Sequence, residues 1–132
     1  MNTKFIALLC FSLIYYLPAC KKNDDGGGCG IQGGVVIPNT YLFWIDHDHS
    51  CGQVTVEVKD ADGRVITPYN GVISYIAATP PACNSTSYSK YATFDLYQGK
   101  NYTYKASCNG KSWVGTITVP CEQGQCKTIL LQ

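Results

Sequence analysis

From residue 35 onward the chain alternates between apolar and polar positions. In Val54-Thr55-Val56-Glu57-Val58-Lys59 the valines fall on one side of an extended backbone, and Thr55, Glu57 and Lys59 fall on the other. A period of two predicts a strand with one buried and one wetted face. Asp60-Ala61-Asp62-Gly63 has the chemistry of a turn, and Arg64-Val65-Ile66-Thr67 reads as the returning strand. Residues 71–76 predict another strand. Residues 77–85 predict a loop, because Pro80 and Pro81 cannot donate to a ladder. Alternation resumes with Ala92, Phe94 and Leu96 inward, and again with Tyr102, Tyr104 and Ala106 inward. Asn109-Gly110 is a strong turn dipeptide, and Trp113, Gly115, Ile117 and Val119 then share one face of the next strand. Residues 120–125 predict the last loop and 127–131 the closing strand, while 41–45 reads as the first full strand.

No stretch of this part of the chain sustains a helical period. About seven short strands at steady spacing predict an all-β domain over residues 35–132, an antiparallel β-sandwich, with a small β-barrel as the alternative.

The beginning of the chain follows a different pattern. Lys4 precedes an apolar run over residues 5–17, broken only by Ser12 and followed by Pro18 and Ala19. This is the layout of an export signal over residues 1–19. As a helix the run rises about 20 Å, too short for a hydrocarbon core of about 30 Å. Residues 20–34 then form a polar, glycine-rich tether with too little apolar surface to fold. As a random coil, its first eight residues hold the domain about 15 Å from whatever anchors Cys20.

Leu17, Ala19 and Cys20 resemble the lipobox of bacterial lipoproteins, an aliphatic residue and two small residues before cysteine. The resemblance implies cleavage before Cys20, a diacylglyceryl thioether on its sulfur and an acylated new N-terminus. Several acyl chains on one residue hold a protein at a membrane far better than one chain does. Lys21-Lys22 followed by Asp24-Asp25 is similar to the start of lipoproteins from the Bacteroidota. That resemblance implies the outer membrane, at the cell surface or on the periplasmic face.

Of eight cysteines, Cys10 lies in the signal and Cys20 at the anchor. Cys29, Cys51, Cys83, Cys108, Cys121 and Cys126 remain, an even set in an exported small domain, which reads as a disulfide framework. Sequence alone does not choose the pairing. The short spacing of Cys121 and Cys126 suits a staple across a hairpin mouth. The domain is also small enough to need such staples. Ten basic and nine acidic side chains nearly balance, and Lys4 leaves with the signal. A balanced chain argues against a nucleic-acid partner and against electrostatic capture of anionic surfaces.

Val54-Thr55-Val56 with the Asp62-Gly63 turn, Ala92-Thr93-Phe94, Gly99 followed by Tyr102-Thr103-Tyr104-Lys105-Ala106, and Trp113 through Val119 resemble the transthyretin-like, carboxypeptidase-regulatory-like sandwich modules. The resemblance implies an adhesion, binding or spacer domain. It identifies no activity.

Three readings of the chemistry follow. Asp46-His47-Asp48-His49 next to Cys51 is the one cluster of ligand-type side chains, and His47 and His49 share a face when extended. It is a candidate zinc or copper site in a periplasmic metal-binding protein. The plainer alternative is a polar loop held by a Cys51 disulfide, with Asp46 or Asp48 capping backbone amides. Among the many aromatics, Tyr88, Tyr91 and Tyr97 near loops and Trp44, out of phase with Phe43, are candidates for an exposed glycan-stacking platform. The rest read as core and cross-strand pairs. Catalysis has no supporting constellation: no nucleophile elbow, no histidine outside one loop, and glutamates only at Glu57 and Glu122. The sequence therefore predicts a non-enzymatic cell-envelope lipoprotein acting as a binding, adhesion or structural module. Its partners are a membrane through Cys20 and a protein or glycan ligand, and no cofactor is expected.

Overall fold

The computed structural model describes Cys29 and residues 34–132. The expected export signal over residues 1–19, the expected acylation site at Cys20 and most of the expected tether over residues 20–34 lie outside the described residues.

Among the described residues seven strands form two sheets. They are β1 (Asn39–Trp44), β2 (Val54–Asp60), β3 (Val72–Ile73), β4 (Tyr91–Leu96), β5 (Asn101–Cys108), β6 (Lys111–Thr118) and β7 (Cys126–Leu130). One sheet has the order β4-β1-β7 and the other β3-β2-β5-β6. The two sheets do not close into a barrel, so the architecture is the sandwich. Alternation accounts for the strands facing its interior: Val54, Val56 and Val58, then Ala92, Phe94 and Leu96, and Tyr102, Ala106 and Ile117 meet in one core with Tyr41 and Phe43. The Asn109-Gly110 dipeptide joins β5 to β6 as a two-residue connection, and Gly110 takes a φ of 75° that a side chain disfavours.

The fold departs from the sequence reading in three ways. The ladder between β1 and β7 is parallel, whereas every other pairing is antiparallel. Parallel neighbours need a long crossover, and here the whole domain separates the two strands. The return strand expected over 64–67 is reduced to one bridge, Lys59 to Val65, and the 71–76 strand to Val72–Ile73. Asp60 explains the first reduction. Its Oδ1 accepts from the amides of Asp62 and Arg64, at 3.0 and 2.9 Å, and so curls the chain before a ladder can form. Finally, Cys121 and Cys126 do not bridge each other.

The disulfides are Cys29–Cys121, Cys51–Cys108 and Cys83–Cys126, spanning 92, 57 and 43 positions of sequence. Each pins a loop to a distant part of the sandwich. Cys83–Cys126 fastens the proline-containing segment 77–87 to the start of β7. That segment then covers the outer face of the first sheet, where Leu42, Trp44, Ala77 and Tyr91 form a second apolar cluster against Cys126 and Leu130. β1 is consequently buried on both faces.

Candidate functional site

The Asp46–Cys51 loop leaves β1 just after Ile45, which is buried, and returns to the sandwich through the Cys51–Cys108 bridge. Within that short span His47 and His49 come together as the spacing predicts, with ring centroids 4.2 Å apart. The His49 ring also lies 4.8 Å from the indole of Trp113 on β6. The result is a row of three tilted rings, Trp113, His49 and His47, with successive planes inclined by 60° and 58°, at one end of the sandwich. His47 Nδ1 lies 2.5 Å from Asp46 Oδ1. Asp48 is used differently: its Oδ1 accepts from the Ser50 amide at 2.7 Å, and Ser50 takes a φ of 56°. Asp48 is thus the backbone cap that the loop chemistry suggested. His49 is only 9% exposed, and its Nε2 is buried without a hydrogen-bond partner.

This cluster is two imidazoles and one neighbouring carboxylate. Among the described residues no three His, Cys, Asp or Glu side chains are gathered to hold a metal ion. Cys51 is committed to its disulfide. A tetrahedral zinc site asks for more ligands than these. Trp113 is the member that sequence spacing missed, because its approach depends on the β5–β6 hairpin folding beneath the loop.

The four aromatics proposed as a stacking platform do not form one exposed surface, although the rings of Tyr88 and Tyr91 meet edge-on with centroids 6.0 Å apart. Trp44 is 6% and Tyr91 2% exposed, so neither presents a face to solvent. The cause is the 77–87 segment, sewn over them by Cys83–Cys126. Tyr91 additionally donates its hydroxyl to the Ser85 carbonyl. Tyr97 is exposed beyond the far end of β4, about 20 Å along the strand from Tyr91 at its start. Tyr88 and Tyr97 keep the predicted exposure, but β4 lies between them and they form no joint surface.

The structure supplies a different neighbour for Tyr88. The ring of Tyr69 lies 5.1 Å from it, inclined by 48°. The two rings stand at the mouth of a groove of about 240 Å³ on the outer side of β4 and β1, whose polar lining includes Thr40, Asn84, Thr93 and Asp95. Tyr69 is tied to β4 by its amide, which donates to the Thr93 carbonyl at 3.0 Å, and Thr93 in turn donates to the Asn70 carbonyl at 2.6 Å. The Tyr88 phenol is held above its ordinary value, chiefly by its hydroxyl contact with Tyr69, and so stays neutral at physiological pH. Tyr69 had one sequence signal: it is an aromatic between Pro68 and Asn70, outside any alternating run. No periodicity connects it to Tyr88.

Comparison with known proteins adds little. No family model matches the chain, and no curated protein matches it. Among solved structures, a chain described as "Crystal Structure of S.CueP" is similar at 16% identity and a TM-score of 0.42, over 67% of this chain and 59% of that one. The chain thus spans about three fifths of that protein's length, a likeness too slight to carry an argument about fold or function.

Proposed function

We propose that this chain is a cell-envelope lipoprotein whose folded part is a non-catalytic binding module, held at the membrane by acyl chains on Cys20. The pairing of the cysteines carries this reading. All six from Cys29 onward pair with one another, so the framework asks nothing of Cys20, which stands at the lipobox-like position. Three bridges in so small a domain also suit an oxidising compartment, reached by export. The bridged domain holds its surface groups in fixed positions, which favours recognition over induced rearrangement.

The direct test compares the full chain with a Cys20→Ser variant in the native host, by membrane fractionation and mass spectrometry of the N-terminal peptide. Acylation and membrane partition that both vanish in the variant support the proposal. Equal partition of the two chains contradicts it.

The cluster of Trp113, His49 and His47 favours a second reading, a periplasmic metal-binding protein. The observation behind it is the buried, unpartnered Nε2 of His49 beside a second imidazole. Equilibrium dialysis against zinc and copper, with wild type beside a His47→Ala/His49→Ala variant, decides it. Equal metal content in both chains ends this reading.

A further inference from the structure

The groove beside Tyr69 and Tyr88 has the properties of a built site. Large exposed aromatics occur singly on most surfaces and need no explanation there. Here two are held together, Tyr69 at 74% and Tyr88 at 41% exposure, and the backbone of each is fixed. Tyr69 hangs from β4 through the Thr93 carbonyl. Tyr88 is held from the adjacent residue of the same segment, since the Asn70 side-chain amide reaches its carbonyl at 2.5 Å. The rings therefore form a standing corner that stays exposed to solvent, with Tyr88 resting edge-on against Tyr91 of the apolar cluster at 6.0 Å.

Below the corner lies an unmet polar group. Thr93 is 8% exposed and lines the groove, yet its Oγ1 is buried and has no hydrogen-bond partner. Buried hydroxyls are nearly always satisfied, so an orphan at the floor of a groove points to a group arriving from outside. On the wall, Asp95 Oδ1 accepts from Thr40 Oγ1 at 2.8 Å, which fixes the carboxylate and leaves Oδ2 for another donor. Asn84 contributes an amide beside the Cys83–Cys126 bridge that pins its loop. Among the described residues no lysine or arginine lines the groove.

Aromatic faces beside a carboxylate, an amide and a hydroxyl match the two sides of a sugar ring. The C–H face lies on an aromatic ring, and the hydroxyls at its edge donate and accept. A lone carboxylate with no cation nearby disfavours an anionic ligand. We propose that this groove binds an uncharged sugar ring of a glycan, stacked at Tyr69 and Tyr88 and hydrogen-bonded at Asp95, Asn84 and Thr93. The proposal rests on reading the domain as a binding module and names its ligand class. The volume of about 240 Å³ suits one ring at a time, with the rest of the glycan running over the surface.

Isothermal titration calorimetry tests it on the full chain, purified in a detergent without a sugar headgroup. The probes are maltohexaose, cellohexaose and chitohexaose, with hexagalacturonate as the acidic comparison. The expected result is saturable binding of at least one neutral probe in preference to the acidic one. Tyr69→Ala and Tyr88→Ala each weaken it about tenfold, the worth of one aromatic contact, while Tyr69→Phe and Tyr97→Ala retain it. Tyr69→Phe also separates a lost ring from a lost fold. Absence of neutral-probe binding, preference for hexagalacturonate, or binding indifferent to both alanine variants overturns the proposal. An acylated chain that binds no sugar loses this groove alone. An unacylated chain that binds keeps the groove and loses the anchor.

Discussion

Asn70 donates its side-chain amide to the main-chain carbonyl of Tyr88 at 2.5 Å, across 18 positions of sequence. The same nitrogen lies 2.8 Å from the carbonyls of Val72 and Tyr91. An amide nitrogen has two protons, so at least one is shared among three acceptors. This single side chain joins the segment carrying Tyr69 to the turn carrying Tyr88 and to the start of β4.

Asn70→Ala strands these carbonyls and is expected to cost about 1–3 kcal/mol, read from urea unfolding. Asn70→Asp is expected to cost more, since an ionised carboxylate facing carbonyl oxygens repels them. An Asn70→Ala variant as stable as wild type contradicts the role given to this junction.

Opening Cys83–Cys126 releases the segment that hides Trp44. In a Trp113→Phe background, which leaves Trp44 as the sole indole of the folded domain, Cys83→Ser/Cys126→Ser is expected to shift tryptophan emission to the red. Stability falls by about 2–5 kcal/mol, the usual loss for a native disulfide in a small exported domain. Unchanged emission in the double variant means that the segment stays in place without its bridge.

Gly115 is paired with Tyr104 across β6 and β5, and a Cβ at Gly115 would approach Tyr104 Cε1 to 2.6 Å. The Tyr104 ring cannot swing away freely, because it packs against Phe43 with centroids 5.0 Å apart. Gly115→Ala is therefore expected to destabilise by about 1–3 kcal/mol, as overpacking does. In a Tyr104→Leu background the same substitution is expected to cost much less, and a double-mutant cycle measures the difference.

Tyr41 and Tyr102 are buried in the core, and burial is the leading cause that raises both phenols above their ordinary value. In the unfolded chain a phenol ionises near about pH 10. A group raised in the folded state contributes fully below that pH, and its contribution is lost as pH climbs through the folded value. The domain is thus expected to hold its stability up to about pH 10 and lose it above. In a spectrophotometric titration part of the phenolate absorbance should appear late and together with unfolding. A smooth titration of all tyrosines near the ordinary value, with the fold intact, contradicts this.

Period-two patterning made most of the sandwich legible. The inward sets at Val54, Val56 and Val58 and at Ala92, Phe94 and Leu96 are core residues, because one face of each strand meets the opposite sheet. Alternation misled at β1, where Tyr41-Leu42-Phe43-Trp44-Ile45 is a continuous apolar run and all five residues are buried. Such a run marks a strand covered on both faces, and the cover for Leu42 and Trp44 comes from a loop far along the chain. The pairing of the cysteines and the Tyr69–Tyr88 corner share that non-local origin. Both depend on which loops meet once the sheets have packed, and spacing along the chain does not encode this. The two histidines were legible because they lie two positions apart in one short loop. Trp113 beneath them was not.

The central claim is that an acyl anchor at Cys20 presents a binding domain at the cell envelope. Protease shaving of intact cells, with mass spectrometry of the N-terminal peptide in the membrane fraction, tests it most directly. The account predicts a lipidated Cys20 in every case: with the domain released if it faces outward, and with the domain protected if it faces the periplasm. A chain that begins upstream of Cys20, or one recovered unacylated from the medium, would contradict it.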